Sequence, residues 1–323
     1  MARTLDYVVQ MSPGKLILSA LLTCLLAGAP GANAQEAPVA AFRAAVDLVR
    51  VAAVVRDRKG RFVSNLTVND LQILEGSDER RIVDFRSDQT GVSVALLFDV
   101  SGSMVSRLAD AREAAGHVMS WLDATLDEAA VYTFDTHLDE VTPFTTGLVA
   151  LPTALASVVP FGATSLHDAI ARTAQRVGER EGRRRAVVVF TDGNDTASRL
   201  KPEEVSAVAS SIDVPVYIFG IVLPIDDPAA DVATPSAEHS ALAGPLADLA
   251  AWTGGHVFVV SSPSQRSVAA RQMVDELRHQ YLIAFESSGT PGWHPLEVRA
   301  HRKDLVVRAR SGYIAGQSRP NSD

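Results

Sequence analysis

The chain has 323 residues, 47% of them hydrophobic, and a formal net charge of −8. That length and apolar content suffice for two domains, or for one domain with an appended module. The negative balance argues against a general nucleic-acid binder, because proteins that neutralise phosphates are usually basic.

Lys15 precedes an apolar run at 16–26, and the small-residue ending Ala32-Asn33-Ala34 follows it. This is the pattern of a secretory signal over residues 1–34, cleaved after Ala34, with Met11 as an alternative start. The run is short for a membrane span, so a transmembrane anchor is the weaker reading. Cys24 is the only cysteine. Thr23 before it and apolar residues after it argue against lipid attachment there. Cleavage after Ala34 leaves no thiol, hence no need of disulfides or of a reducing compartment. No later apolar run is long enough to cross a bilayer. The expectation is an exported protein, periplasmic or extracellular, with no stable membrane span after cleavage.

Residues 46–85 read as β structure, with Val49, Val51, Ala53 and Val55 alternating onto one face. Asp57-Arg58-Lys59-Gly60 is a turn, with 61–63 as the returning strand; 71–74 and 82–85 flank another turn at 75–78. From Gly91 strands alternate with helices. Strands are expected at 92–98, 129–134, 186–190, 214–220 and 256–260, with a short edge strand near 140–143. Helices are expected at 105–126, 148–158, 166–177, 202–211, 246–252 and 264–277. The strand runs lack alternation, as in a parallel sheet covered on both faces. Repeated strand–helix units with right-handed crossovers give a doubly wound, mostly parallel α/β domain. The segment 224–245, rich in Pro, Ala and Asp, reads as a surface insertion. Further on, 281–285 reads as a strand, and 293–300 with 305–310 as a hairpin around Arg302-Lys303-Asp304. Strands at both ends need a partner sheet. Segments 41–88 and 280–316 are therefore expected to pair into one small β module beside a domain at 90–279.

Three places put oxygen-bearing side chains where a strand or loop hands over to a helix. They are Asp99-Val100-Ser101-Gly102-Ser103, Gly162-Ala163-Thr164-Ser165-Leu166 and Thr191-Asp192-Gly193. Asp99, Ser101, Ser103, Thr164 and Asp192 together supply three hydroxyls and two carboxylates. That chemistry suits one hard divalent cation, Mg²⁺ first, with Mn²⁺ or Ca²⁺ as alternatives. In a doubly wound sheet ligands bind beyond the carboxyl ends of the strands, where strand order reverses. Asp99 and Asp192 would meet there if their strands are neighbours. A cation touched mainly by hydroxyls keeps most of its charge and attracts an incoming Asp or Glu.

Each piece alone has a plain structural use. Ser103 can cap the helix that follows, Ser165-Leu166-His167-Asp168 fits a capping box, and Asp192-Gly193 is a common turn pair. Their joint occurrence in this order favours a metal. Other polar residues read more simply: Asp195, in the Asp192 loop, as a solvent-facing turn residue, with shaping the rim as the alternative, Asp135 and His137 as loop residues, and His167 as a histidine near the site or on the surface. Asp226-Asp227 reads as a solvated acidic pair. Arg183-Arg184-Arg185 reads as an exposed basic edge, with an anionic ligand as the alternative.

Asp99-x-Ser101-x-Ser103, Thr164 and Asp192 resemble the metal-ion-dependent adhesion site (MIDAS) of von Willebrand factor A (VWFA) domains, over roughly residues 91–280. The resemblance implies the two serines and the threonine as direct ligands and the aspartates acting often through water. It also implies an acidic residue of a protein partner completing the shell. The ends, at 46–85 and from Arg278-His279-Gln280-Tyr281 to Arg308-Ala309-Arg310-Ser311-Gly312-Tyr313, resemble those of exported bacterial VWFA-related proteins. The implied function is non-enzymatic, metal-dependent protein binding of an adhesion or scaffold type. The alternatives are a metal-dependent hydrolase and a structural envelope component with a purely stabilising metal. The hydrolase is disfavoured because the chain has no Walker A loop, no Gly-x-Ser-x-Gly elbow and no His-Glu-x-x-His pair.

Overall fold

A computed structural model describes residues 48–315, apart from 88–89, 181, 212, 224–241 and 243. The proposed signal, Cys24 and Asp226-Asp227 lie outside the described residues, as does nearly all of the expected insertion. Among the described residues, no helix is long and apolar enough to cross a membrane.

Fourteen strands and six helices are described. In chain order the first four strands are β1 (Leu48–Asp57), β2 (Leu71–Glu75), β3 (Asp78–Arg80) and β4 (Ile82–Arg86). Then come β5 (Val92–Asp99), α1 (Leu108–Trp121), β6 (Glu128–Phe134), β7 (Leu138–Thr146), α2 (Thr153–Ala156) and α3 (Leu166–Gly178). They are followed by β8 (Arg184–Thr191), α4 (Pro202–Ser211), β9 (Val216–Ile221), α5 (Pro245–Thr253), β10 (His256–Val260) and α6 (Pro263–Arg278). The last strands are β11 (Gln280–Glu286), β12 (Gly292–Ala300), β13 (Leu305–Ala309) and β14 (Gly312–Ala315).

The central sheet has the order β10-β9-β8-β5-β6-β7, parallel except for the antiparallel edge strand β7. Every residue of β5 is buried, which explains its unbroken apolar run. Alternate residues still divide between two cores. Val94, Leu96 and Phe98 face α1 and α6, with Val188 and Phe190 of β8 beside them. Ala95 and Leu97 face α3, α4 and α5, with Val187 and Val189. Strand order reverses between β5 and β8, since later strands lie on both sides of that pair.

The remaining strands form two antiparallel four-stranded sheets, β13-β1-β11-β4 and β14-β12-β2-β3. They share one core, in which Val51, Ala53 and Val55 of β1 meet Ile73, Phe285, Leu296 and Tyr313. Strand β1 lies between β11 and β13, Val51 opposite Ile283 and Ala53 opposite Ala309.

Several elements differ from the sequence expectation. Segments 293–300 and 305–310 do not form a hairpin ladder: β12 pairs with β2 and β14, whereas β13 pairs with β1. The segments 71–74 and 82–85 likewise part, β2 pairing with β3 and β4 with β11. The helix expected at 148–158 is only α2, preceded by Pro152, whose ring fixes φ and bars earlier helix. Helix α1 starts at Leu108 because Gly102–Met104 forms a 3₁₀ turn first.

Candidate metal centre

Strands β5 and β8 pair in parallel with Phe98 opposite Phe190, so Asp99 and Asp192 leave neighbouring strands at the same end. Neighbouring strands lie about 4.8 Å apart. Asp99 is fully buried. Its Oδ1 accepts the Ser101 amide at 2.9 Å, and its Oδ2 accepts the Thr191 hydroxyl at 2.6 Å. Burial first, and the charge of Asp192 in addition, push the Asp99 carboxyl up to about 6, against the hydrogen bonds of Ser101 and Thr191.

Neither serine hydroxyl serves as a helix cap. Ser101 precedes the 3₁₀ turn without a side-chain capping bond, and α1 is preceded by Arg107 instead. The Ser101 and Ser103 hydroxyls lie 3.2 Å apart. Ser101 is buried, whereas Ser103 is exposed, so this cluster has one open side.

The Thr164 loop is tied to the serine loop by backbone bonds. The Gly102 amide donates to the Gly162 carbonyl at 3.0 Å, and the Phe161 amide donates to the Val100 carbonyl at 2.9 Å. Gly162 has φ +85°, a left-handed conformation open to glycine at little cost. Thr164, two residues on, is buried. Its amide donates to Thr196 Oγ1 at 3.0 Å, and its carbonyl accepts the amides of Thr196 and Ala197. The capping box expected at Ser165 is not formed. Ser165 makes no side-chain cap, and the Asp168 carboxylate accepts the Arg199 and Leu200 amides.

Asp192 is buried, and its Oδ1 accepts the Asn194 amide at 3.2 Å. Its Oδ2 lies 3.8 Å from Arg107 Nη1, which also donates to the Ser103 carbonyl at 2.9 Å. Arg107 therefore spans the Asp192 and Ser103 loops.

Three further residues shape the surroundings. Thr191 and Arg107 are residues that the sequence motif does not mark. Asp195 is not a solvent-facing turn residue: its Oδ2 accepts the His167 amide at 3.0 Å and lies 2.7 Å from His167 Nδ1, and its Oδ1 accepts the Ser198 amide. Burial pushes its carboxyl up, but hydrogen bonds from Ser198 and His167 outweigh this and hold it below the usual range. Asp135 and His137 lie in a loop, as expected, although the Asp135 carbonyl accepts the Ser165 amide at 2.7 Å. Among the described residues no three His, Cys, Asp or Glu side chains cluster as metal ligands. The cluster here is hydroxyl-rich instead.

Residues 94–194 match the family model of the von Willebrand factor type A domain. The matched stretch lies within the α/β part of the chain, which is thus similar to domains of that type, and it contains Asp99, Ser101, Ser103, Thr164 and Asp192. Among solved structures, the chain is similar to an aerotolerance-related membrane protein from Bacteroides fragilis NCTC 9343, at 21% identity and TM-score 0.46, over 58% of this chain and 98% of that one. It is similar to BatB from Bacteroides thetaiotaomicron, at 20% identity and TM-score 0.46, over 58% of this chain and 98% of that one. A third similar structure is proximal thread matrix protein 1 from the mussel byssus with a zinc-occupied MIDAS motif. It is 18% identical, with TM-score 0.45, over 63% of this chain and 50% of that one. No curated protein matches this chain.

Proposed function

We propose that this is an exported, non-enzymatic binding protein. Asp99, Ser101, Ser103, Thr164 and Asp192 hold one divalent cation, Mg²⁺ in the first instance, and its open face takes an Asp or Glu of a protein partner. The carrying observation is the pairing of two buried carboxylates, Asp99 and Asp192, beside hydroxyls that cap no helix. The charge of Asp192 destabilises that of Asp99, and a cation would relieve this. These residues therefore suit the ion they would hold. When bound, the ion supplies a strong positive charge; the chain positions it and leaves the Ser103 side open.

The rim suits a protein partner. Val105, Val159 and Phe161, on the loops that carry Ser103 and Thr164, are exposed. An acidic side chain flanked by apolar ones matches such a rim. Calorimetric titration of Mg²⁺ into metal-stripped protein, followed by capture of partners from envelope extract with Mg²⁺ or with EDTA, tests the reading. Metal binding lost in Asp99→Ala, with capture lost in EDTA, is the expected result. Equal capture in both buffers would sink it, and stabilisation without capture would favour a structural metal.

One observation favours the hydrolase reading, the His167–Asp195 pair, a histidine and carboxylate 2.7 Å apart. Mg²⁺-dependent turnover of a phosphate or peptide substrate, abolished by His167→Ala, would revive that alternative.

A further inference from the structure

A cleft of about 270 Å³ lies at the other end of the α/β sheet. It is bounded by the start of β8, the chain leading into β5 and β9, and the β1, β4 and β11 strands. Strand β8 runs from Arg184 to Thr191, beside Asp192. At about 3.3 Å per residue this separates the cleft from the metal centre by roughly 23 Å.

The lining is unusual in charge. Arg50, Arg86, Arg180, Arg183, Arg184 and Arg185 face it, against Asp84 and Asp213 in the lining. Asp84 pairs with Arg86 at 2.9 Å and Glu128, outside the lining, pairs with Arg180 at 2.8 Å, so the arginines still outnumber the carboxylates. Several of these guanidinium groups are held in place by backbone carbonyls. Arg184 is buried, and its Nη2 donates to the Gln280 carbonyl at 3.0 Å while Nη1 donates to the Thr90 carbonyl at 3.3 Å. Arg185 Nη1 donates to the Gly178 carbonyl at 2.7 Å, and Arg183 to the Leu126 carbonyl. A carbonyl fixes a guanidinium but brings only a partial charge, so the group stays positively charged. Arg50 is exposed, and its side chain makes no hydrogen bond or ion pair among the described residues. Behind the cleft Arg310 is also buried and donates to the Arg50 carbonyl. Burial pushes its pKa down, Asp213 opposes this, and the positive charge of Arg185 adds to it.

Fixed guanidinium forks recognise carboxylate and phosphate oxygens two at a time. A space of this size admits a small molecule, not a chain segment. We infer that this cleft binds a small polyanion carrying two or more phosphate or carboxylate groups. The Arg183-Arg184-Arg185 run is then part of a ligand site, not merely a solvated edge. The inference stands apart from the metal centre and does not require it.

The test is calorimetric titration of full-length protein with inorganic pyrophosphate and, separately, with citrate. Protein and buffer are stripped of divalent cations by chelating resin, so neither anion can reach the protein through a metal. At least one anion should bind at one site, and more weakly as NaCl is raised. Binding of only one of them identifies the headgroup chemistry. The double variant Arg50→Gln/Arg86→Gln should lose affinity at least about tenfold, as expected for removing two charges. Arg302→Gln, an exposed arginine paired with Asp304, should bind as the wild type does. If the double variant does not fold, Arg50→Glu alone gives the same comparison. Neither anion binding at millimolar concentration, or equal binding by Arg50→Glu and wild type, would overturn the inference.

Discussion

The Thr191 hydroxyl donates a 2.6 Å hydrogen bond to Asp99 Oδ2, joining the last residues of two neighbouring strands. Both side chains are fully buried. The same hydroxyl oxygen accepts the Gly193 amide at 3.0 Å, so it also anchors the turn that carries Asp192. Thr191→Val keeps the shape and removes both bonds. Leaving a buried carboxylate short of a donor should cost about 1–3 kcal/mol of stability at neutral pH, read by urea unfolding. Thr191→Ser should restore most of it.

Asp99 gives the metal-free protein a signed pH dependence. Its carboxyl is raised from 3.8 to about 6 on folding, by burial first and then by the charge of Asp192. The folded state thus holds this proton more tightly than the unfolded chain does. Between these two values stability from this group falls as pH rises, by roughly 2–3 kcal/mol in all, and then levels off. Carboxyls held low elsewhere, such as Glu128 and Asp195, act in the opposite sense, so the reading is the difference between metal-stripped wild type and Asp99→Asn: from mild acid to neutral pH the wild type should lose stability relative to the variant. Stabilisation by added Mg²⁺ should run the other way and grow as pH rises through about 6, because the ion and the proton compete.

Arg107 places a guanidinium 3.8 Å from Asp192 Oδ2. A cation brought to Asp192 is repelled by it. Arg107→Gln should tighten Mg²⁺ binding by roughly 3- to 10-fold, the scale of one unit-charge pair near 4 Å in a water-like dielectric. Raising the salt should narrow the gap between variant and wild type. Calorimetric titration at two NaCl concentrations checks both statements.

Gly162 is held at φ +85° while its carbonyl accepts the Gly102 amide. Gly162→Ala meets open space at its Cβ, so the cost is backbone strain alone. That strain is about 1–3 kcal/mol. If the loop relaxes instead, the Gly102 bond breaks and Thr164 shifts. Thermal unfolding reads the first outcome, and weakened Mg²⁺ binding reads the second.

The central strands were legible because both of their faces are covered, which shows as unbroken apolar runs such as that of β5. The oxygen donors after β5 and β8 were legible because strand ends and turn residues mark where a sheet opens. Thr191 and Arg107 were not. Their roles follow from strand register and from a guanidinium reaching across loops, and no spacing rule encodes either. The outer strands misled for a related reason: β12 and β13 adjoin in sequence but find partners in different sheets. Ser165-x-x-Asp168 had the pattern of a cap, yet the distant Arg199 and Leu200 amides captured the carboxylate.

Strand β1 is flanked by β11 and β13, both from the far end of the described chain. During vectorial synthesis, β1 emerges before β11 and β13 and must wait for both neighbours. Until they arrive, its two ladders of amides and carbonyls are open to any other extended segment. Closing so long a loop costs entropy, so the pairing of β1 with β11 and β13 is expected to form late. A chain broken off before Leu305 would keep its α/β domain but leave one flank of β1 permanently unzipped, prone to clumping with its own kind.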